Sequence, residues 1–429
     1  MSLAHVGIYN PGSTCWLACC VHALAGVGPF RRLLYKLEVD KNRPNETEAE
    51  VNTHHFIEQF QLTFHYLEER EDERKRDEMS TRSAFRYIKV DKLRKAGELH
   101  YAKPDRFHVT RHEDCCEHVF HILQTISEYY SKYFQKTKAD AEQNPNRCFA
   151  MATTENGVLQ YYHNIILPVT TTSFYAALRE AWFPKNRQAD DKGNVSRKEE
   201  TKHWVKSLPD VLTFTINRSD LDYTKRFSTF KIELEIALDR HLESRAEEAS
   251  AIFIQQNPEE IFEMNKNDWS KELYTLSAVI MHKGEGTAHG HYTIFVLDLE
   301  NSVGELNTDY KYKLYDDHLA PRVYTANQAQ WIWSEGNSGG DNCPSMLIYT
   351  KNEVLTLEMF SFLEKKVEGR SESMKKAINN MENGNVDQAE KDKENVNEAD
   401  QDIEKEGQAE KNDVEMEVAA VEPMRKRSW

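Results

Sequence analysis

The chain has 429 residues, 39% hydrophobic and 29% charged, enough for one large domain with a tail or for two average ones. Its formal net charge is −16, and residues 381–420, with 14 acidic and 4 basic side chains, account for −10 of it. That balance argues against a phosphate-directed nucleic-acid partner and suits a basic one, while the lack of about 18 consecutive apolar residues argues against a membrane span.

In chain order, the first predicted element is a helix beginning at Cys15. Ser13 and Thr14 are helix-start residues, and Trp16, Leu17, Cys20 and Leu24 recur behind them at helical spacing. Phe30 to Leu37 continues helical, 38–50 reads as a polar loop, and His55 to Arg76 as a long helix. Phe56, Phe60, Phe64 and Leu67 line one side of that helix, and its EREDERKR end is solvated. His112 to Tyr130 is a further amphipathic helix, with Val119, Ile122, Leu123 and Ile126 on its buried side. From Val158 the period shifts towards two. Leu159 to Val169 and Val211 to Asn217 read as strands, followed by a charged helical insertion over Ile252 to Lys271. Tyr274 to Met281, His291 to Leu299, Tyr310 to Tyr315 and Met346 to Tyr349 complete the strands. Beyond about residue 365, Glu, Lys, Asn, Asp and Gln dominate, a composition that buries too little apolar area to offset ordering entropy, so a disordered acidic tail is expected.

Three places carry chemistry. Cys15 sits where a polar turn meets the start of a helix, and the positive end of the helix dipole favours a thiolate there. Far downstream, Ala288 to Tyr292 reads AHGHY and is followed by Tyr315-Asp316-Asp317, so a nucleophile, a base and an orienting carboxylate are all available. Strand alternation lets only one of the two aspartates face the base. Met1 to Asn10 lacks the basic and apolar regions of a secretory signal. The seven cysteines (15, 19, 20, 115, 116, 148 and 343) are odd in number and unevenly clustered, which suits a reducing compartment, cytoplasmic or nuclear, better than a disulfide framework.

Asn10-x-Gly12-x-Thr14-Cys15, Tyr274-x-Leu276-x-Ala278-Val279-x-x-His282 and Gly290-His291-Tyr292 resemble, in order, the cysteine and histidine boxes of the ubiquitin-specific proteases, papain-like cysteine deubiquitinases. The closing SMLIYTK resembles that family's last strand, so a catalytic domain over 1–352 and an acidic tail over 353–429 are expected. The resemblance implies an α+β papain-like fold with a helical thumb, a β-sheet palm and β fingers. It selects His291 over His289 as base and Asp316 over Asp317 as its partner, and it places Asn10 at the oxyanion. Asp114 and Glu117, in a segment resembling the family's Gln-Gln-Asp box, would hold the arginine-bearing tail of ubiquitin. His282, Gly284, Gly286 and Gly290 resemble a glycine-rich blocking loop beside the tail's path, where Tyr292 and Asp317 would also contribute.

The chain also departs from the family. No Cys-x-x-Cys pair is present, and the adjacent pairs Cys19-Cys20 and Cys115-Cys116 diverge on their helices, so no structural metal and no cofactor are expected. Cys15-Trp16 and the missing pairs resemble a zinc-free subgroup. Ubiquitin and ubiquitinated proteins are the implied partners, without nucleic acid or membrane, and the oligomeric state stays open. Ser13, His112, Glu113 and His118 depart from the common boxes, which leaves a catalytically weak, ubiquitin-binding scaffold as the alternative to an active deubiquitinase.

Overall fold

The computed structural model describes residues 6–39, 46–77, 87–101, 113–134, 150–155, 158–169, 173–182, 187–189, 195–197, 205–218, 230–238, 272–284, 289–299, 310–334 and 342–356. The chain divides into Met1–Glu368 and Gly369–Trp429, and all described residues fall in the first unit. The expected insertion at Ile252 to Lys271, the acidic tail beyond residue 356, His112, Cys148 and Gly286 lie outside the described residues.

Helices come first in the chain and most strands follow. Helix α1 (Cys15–Gly26) is apolar all round, and Cys15 through Ala25 are buried, so it is an internal helix and not an amphipathic surface one. Helix α2 (Gly28–Lys36) starts with proline in its first turn, where the missing N–H costs nothing. Helix α3 (Glu48–Asp77) begins earlier than its hydrophobic pattern indicates. Thr47 and Glu50 form a capping box: Thr47 N donates to Glu50 Oε2 at 2.7 Å, and Glu50 N donates to Thr47 Oγ1 at 3.3 Å. Helix α4 (Asp91–His100), which the sequence reading did not anticipate, packs on α3, and α5 (Cys115–Tyr133) buries Val119, Ile122, Leu123 and Ile126 as expected.

The principal sheet is built from β5 (Ile165–Pro168), β9 (Val211–Asn217), β10 (Glu235–Ala237), β11 (Leu273–Lys283), β12 (His291–Leu297), β13 (Lys311–Tyr315), β14 (Arg322–Thr325) and β15 (Asn342–Lys351). Their order is β14-β13-β12-β11-β15-β9-β5, with β10 pairing with β11 off that path. Only β5 and β9 run parallel; every other pair is antiparallel. Both faces of the sheet are covered. Ala278, Ile280, Ile294, Val296 and Ile348 join the core made with α1, α2, α3 and α5. Val279, Met281, Phe295, Leu297 and Leu347 face a second core with α6 (Phe174–Trp182) and α7 (Ala326–Ser334). Burial on both sides explains why these strands read as nearly continuous apolar runs. Smaller pairings complete the description: β1 (Gly7–Ile8) lies parallel to β2 (Tyr87–Ile88), β3 (Met151–Glu155) sits between β4 (Val158–Tyr162) and β8 (Val205–Ser207), and β6 (Arg187–Ala189) pairs with β7 (Val195–Arg197). No single described helix is long and apolar enough to cross a membrane.

Candidate active site

The site forms where the start of α1 meets the sheet ends of β12 and β13. Cys15 is the first residue of α1 and is buried. The turn before it is organised by the Asn10 side chain. Its Oδ1 accepts from Gly12 N at 3.1 Å, Thr14 N at 3.0 Å and Thr14 Oγ1 at 2.8 Å. Thr14 makes no side-chain cap, so Asn10 orders the chain in its place. The Cys15 sulfur accepts from the backbone N–H of Tyr292 at 3.5 Å, a donor that side-chain motifs do not reveal.

His291 opens β12, and its Nε2 lies 2.6 Å from Asp316 Oδ1 at the end of β13. The Asp316 bond first, and a hydrogen bond with the Cys15 thiol second, push the His291 pKa up to about 10. The same His291 bond holds the Asp316 carboxyl below its usual range. His291 therefore meets both the thiol and the carboxylate. His289 lies in the loop ahead of β12, with its carbonyl against Gly284.

Asp317 turns the other way. Its Oδ2 accepts from Asn10 Nδ2 at 2.9 Å, joining residues at opposite ends of the described chain. Burial raises its pKa, while the Asn10 bond works against that rise. Asp317 has φ 47°, in the left-handed region, and two contacts keep it there. Its carbonyl accepts from Ile8 N at 3.0 Å, and Leu319 N donates to Asp316 O at 3.0 Å. Gly7 lies against this turn so closely that an added Cβ would sit 2.9 Å from Asp317 O and from His318 Cα.

Beside the sulfur runs a cavity of about 280 Å³. It is lined by Asp114, Cys116, Ile166, the Thr215–Arg218 stretch, His282, Cys343, Ser345 and Tyr292, whose backbone N–H meets the sulfur. Asp114 caps α5, accepting from Cys116 N at 2.7 Å and Glu117 N at 3.3 Å. Its extended backbone takes it off the helix face that a spacing of three predicts for Asp114 and Glu117. Glu117 stays on the exposed first turn, 3.3 Å from His121 Nε2, and is absent from the cavity lining. His282 is buried against the Tyr292 ring at a 4.6 Å centroid distance. Gly290, at φ 155°, leaves no room for a side chain: a Cβ would lie 2.2 Å from Lys283 O and 2.4 Å from His282 Nε2.

Burial pushes Cys19, Cys115 and Cys116 well up, so they are held as neutral thiols. Among the described residues, His291, Asp316 and Asp317 are the group whose donor atoms lie close enough together, within 4.8 Å, to ligate a metal. Asp316 Oδ1 already binds His291 and Asp317 Oδ2 already accepts from Asn10, so these groups also belong to an internal hydrogen-bond network.

A family profile described as ubiquitin carboxyl-terminal hydrolase matches residues 6–349, most of the chain and every residue of this site. The chain belongs to the ubiquitin carboxyl-terminal hydrolase family. Membership carries a papain-like fold, consistent with the mixed α/β architecture, and makes ubiquitin and ubiquitinated proteins the implied partners. A search of curated proteins finds no match to the chain.

Proposed function

We propose that the chain is an active, thiol-dependent deubiquitinase that hydrolyses the isopeptide or peptide bond after the C-terminal glycine of ubiquitin. The observation that carries this reading is the contact of one imidazole, His291, with both a helix-start thiol and a carboxylate. With its pKa raised to about 10, His291 holds a proton at neutral pH beside the Cys15 sulfur, where a nucleophile needs a charged partner. The ubiquitin tail lies in the cavity beside Tyr292 and His282. Asp114 receives a tail arginine there, and Glu117 meets one at the outer rim.

The Cys15 thiolate attacks the glycine carbonyl, and the displaced electron pair moves to oxygen. The Cys15 backbone N–H, at a helix position without an intrahelical acceptor, donates to that oxyanion together with the second Asn10 Nδ2 hydrogen. Asp317 binds the first Nδ2 hydrogen and aims the amide. Collapse breaks the C–N bond as His291 passes its proton to the leaving lysine nitrogen. A water then attacks the thioester, His291 takes its proton, and the ubiquitin carboxylate and Cys15 thiolate are released. The catalytic domain in this reading is 1–352.

Hydrolysis of ubiquitin–aminocoumarin tests it. The wild-type chain should release coumarin, and the Cys15→Ala chain should bind ubiquitin without turnover. A wild-type chain that binds ubiquitin but releases nothing would establish the scaffold instead.

A further inference from the structure

We propose that an exposed aromatic face made by Tyr9, Tyr87 and His318 is the leaving-side subsite of this enzyme, and that the methylene stem of the ubiquitin-bearing lysine lies across it. The inference rests on the hydrolase reading above and adds the surface that receives the other half of the conjugate. Tyr9 and Tyr87 stack with centroids 5.5 Å apart, and His318 lies 6.2 Å from one ring and 6.4 Å from the other. The tyrosines are 36% and 40% exposed, so three rings are grouped on the surface at the cost of leaving apolar area in water.

Strand order fixes where this face stands relative to the chemistry. The cavity proposed for the ubiquitin tail is lined from β5, β9, β15, β11 and the second residue of β12, with Asp114 and Cys116 of the α5 start closing it. His291 opens β12, Asp316 follows β13, and His318 belongs to the turn between β13 and β14. A conjugate crossing the sheet in that order meets the tail cavity, then the sulfur, then the aromatic face. No residue is shared between cavity and face. The face is also fixed to the reacting atoms, because Tyr9 precedes Asn10, Tyr9 N donates to Ile88 O at 2.9 Å, and Ile8 N donates to the Asp317 carbonyl. A conjugated lysine presents four methylenes ending in a neutral amide nitrogen. Ring faces grip such a stem without reading the sequence around it.

The test uses two substrates. One is ubiquitin ethyl ester, whose leaving group is too short to reach the rings. The other is ubiquitin joined through an isopeptide bond to a labelled lysine peptide. Tyr87→Thr, which removes the ring and keeps a strand-compatible residue, should lower kcat/KM on the isopeptide about five- to tenfold and on the ester less than twofold. Tyr87→Phe should restore the isopeptide rate, and His318→Gln, on a different element, should show the same split at smaller size. Equal losses on both substrates in both Tyr87→Thr and His318→Gln would mean that the rings only brace the fold, and no loss on either would mean that they touch nothing; both results overturn the proposal. A wild-type enzyme inactive on both substrates would instead overturn the hydrolase reading and this inference with it.

Discussion

Replacing Asp316 by Ala and by Asn separates the two jobs a carboxylate can do beside a catalytic imidazole. The bond from His291 Nε2 to Asp316 Oδ1 is 2.6 Å long and is the first cause of the raised His291 pKa, with the Cys15 contact second. Alanine removes both the orienting acceptor and the charge. In the serine-protease template, loss of a working orienting carboxylate costs about 10⁴-fold in kcat, or about 5.5 kcal/mol at about 1.4 kcal/mol per decade. Here about a third of each side chain is exposed, which screens the charge contribution, so roughly 10²- to 10³-fold is expected for Asp316→Ala. Asparagine keeps an acceptor for Nε2. Because a pKa near 10 leaves His291 protonated at neutral pH, a wrong tautomer is not the hazard it is for serine proteases, and Asp316→Asn should lose less than about tenfold. Ubiquitin–aminocoumarin turnover from pH 5 to 10 reads both effects. The alkaline limb, where His291 deprotonates, should move down in Asp316→Ala because the bond that raises its pKa is gone. The aspartate assignment fails if Asp316→Ala turns over near wild type with an unchanged alkaline limb while Asp317→Ala is severely slowed.

Further outcomes follow from the geometry. Cys15→Ala should abolish turnover while leaving ubiquitin affinity, measured by calorimetry, near wild type; iodoacetamide should label Cys15 ahead of the buried Cys19, Cys115 and Cys116 at pH 6. The His291–Asp316 pair should also appear in stability. His291 has a folded pKa near 10, above its ordinary 6.5, so its contribution is complete below about pH 6.5 and lost as pH rises towards 10, whereas that of Asp316, whose pKa is depressed, is lost only in acid; melting temperature against pH in wild type and Asp316→Asn checks both limbs. Gly290→Ala puts a Cβ into Lys283 O and His282 at a positive φ, so a loss of at least about 2 kcal/mol or a displaced hairpin with raised KM is expected, read by thermal melts and kinetics. Thr47→Ala breaks the α3 capping box and should cost about 1 kcal/mol in denaturant unfolding with turnover unchanged.

The parts legible in the sequence were those written in local pattern. The start of α1 at Cys15, the buried side of α5 and the span of β9 all follow from spacing and β-branched content. The early start of α3 was equally local: Thr47-x-x-Glu50 is a capping signal standing inside a stretch that reads as a polar loop. Helix α7 was harder, because Trp333 is buried between Phe295 and Tyr312 and its pattern makes sense only against the sheet. At the site, family resemblance picked out residues that the structure then joins, His291 with Asp316. It did not indicate that the Asn10 carbonyl oxygen is spent on three donors in its own turn, nor that its amide is held by Asp317. Those bonds depend on how distant segments close in three dimensions. The Asp114–Glu117 spacing likewise does not tell that Asp114 caps α5, since its backbone has not yet entered the helix.

Strand β15 has a consequence for how the protein is made. It is the last strand of the described chain, yet it lies between β11 and β9 in the middle of the sheet. While the ribosome is still upstream of it, the nascent palm is two half-sheets, and each exposes a long apolar edge that β15 will later cover. The strands that carry His291 and Asp316 are already synthesised at that stage, and the cysteine helix has left the exit tunnel long before. The emerging chain thus passes through an interval in which its site residues exist but its sheet is open on both sides of the gap. Chaperone demand should peak there, and a ribosome stalled just before residue 342 should leave an aggregation-prone product, whereas one released past residue 351 should not.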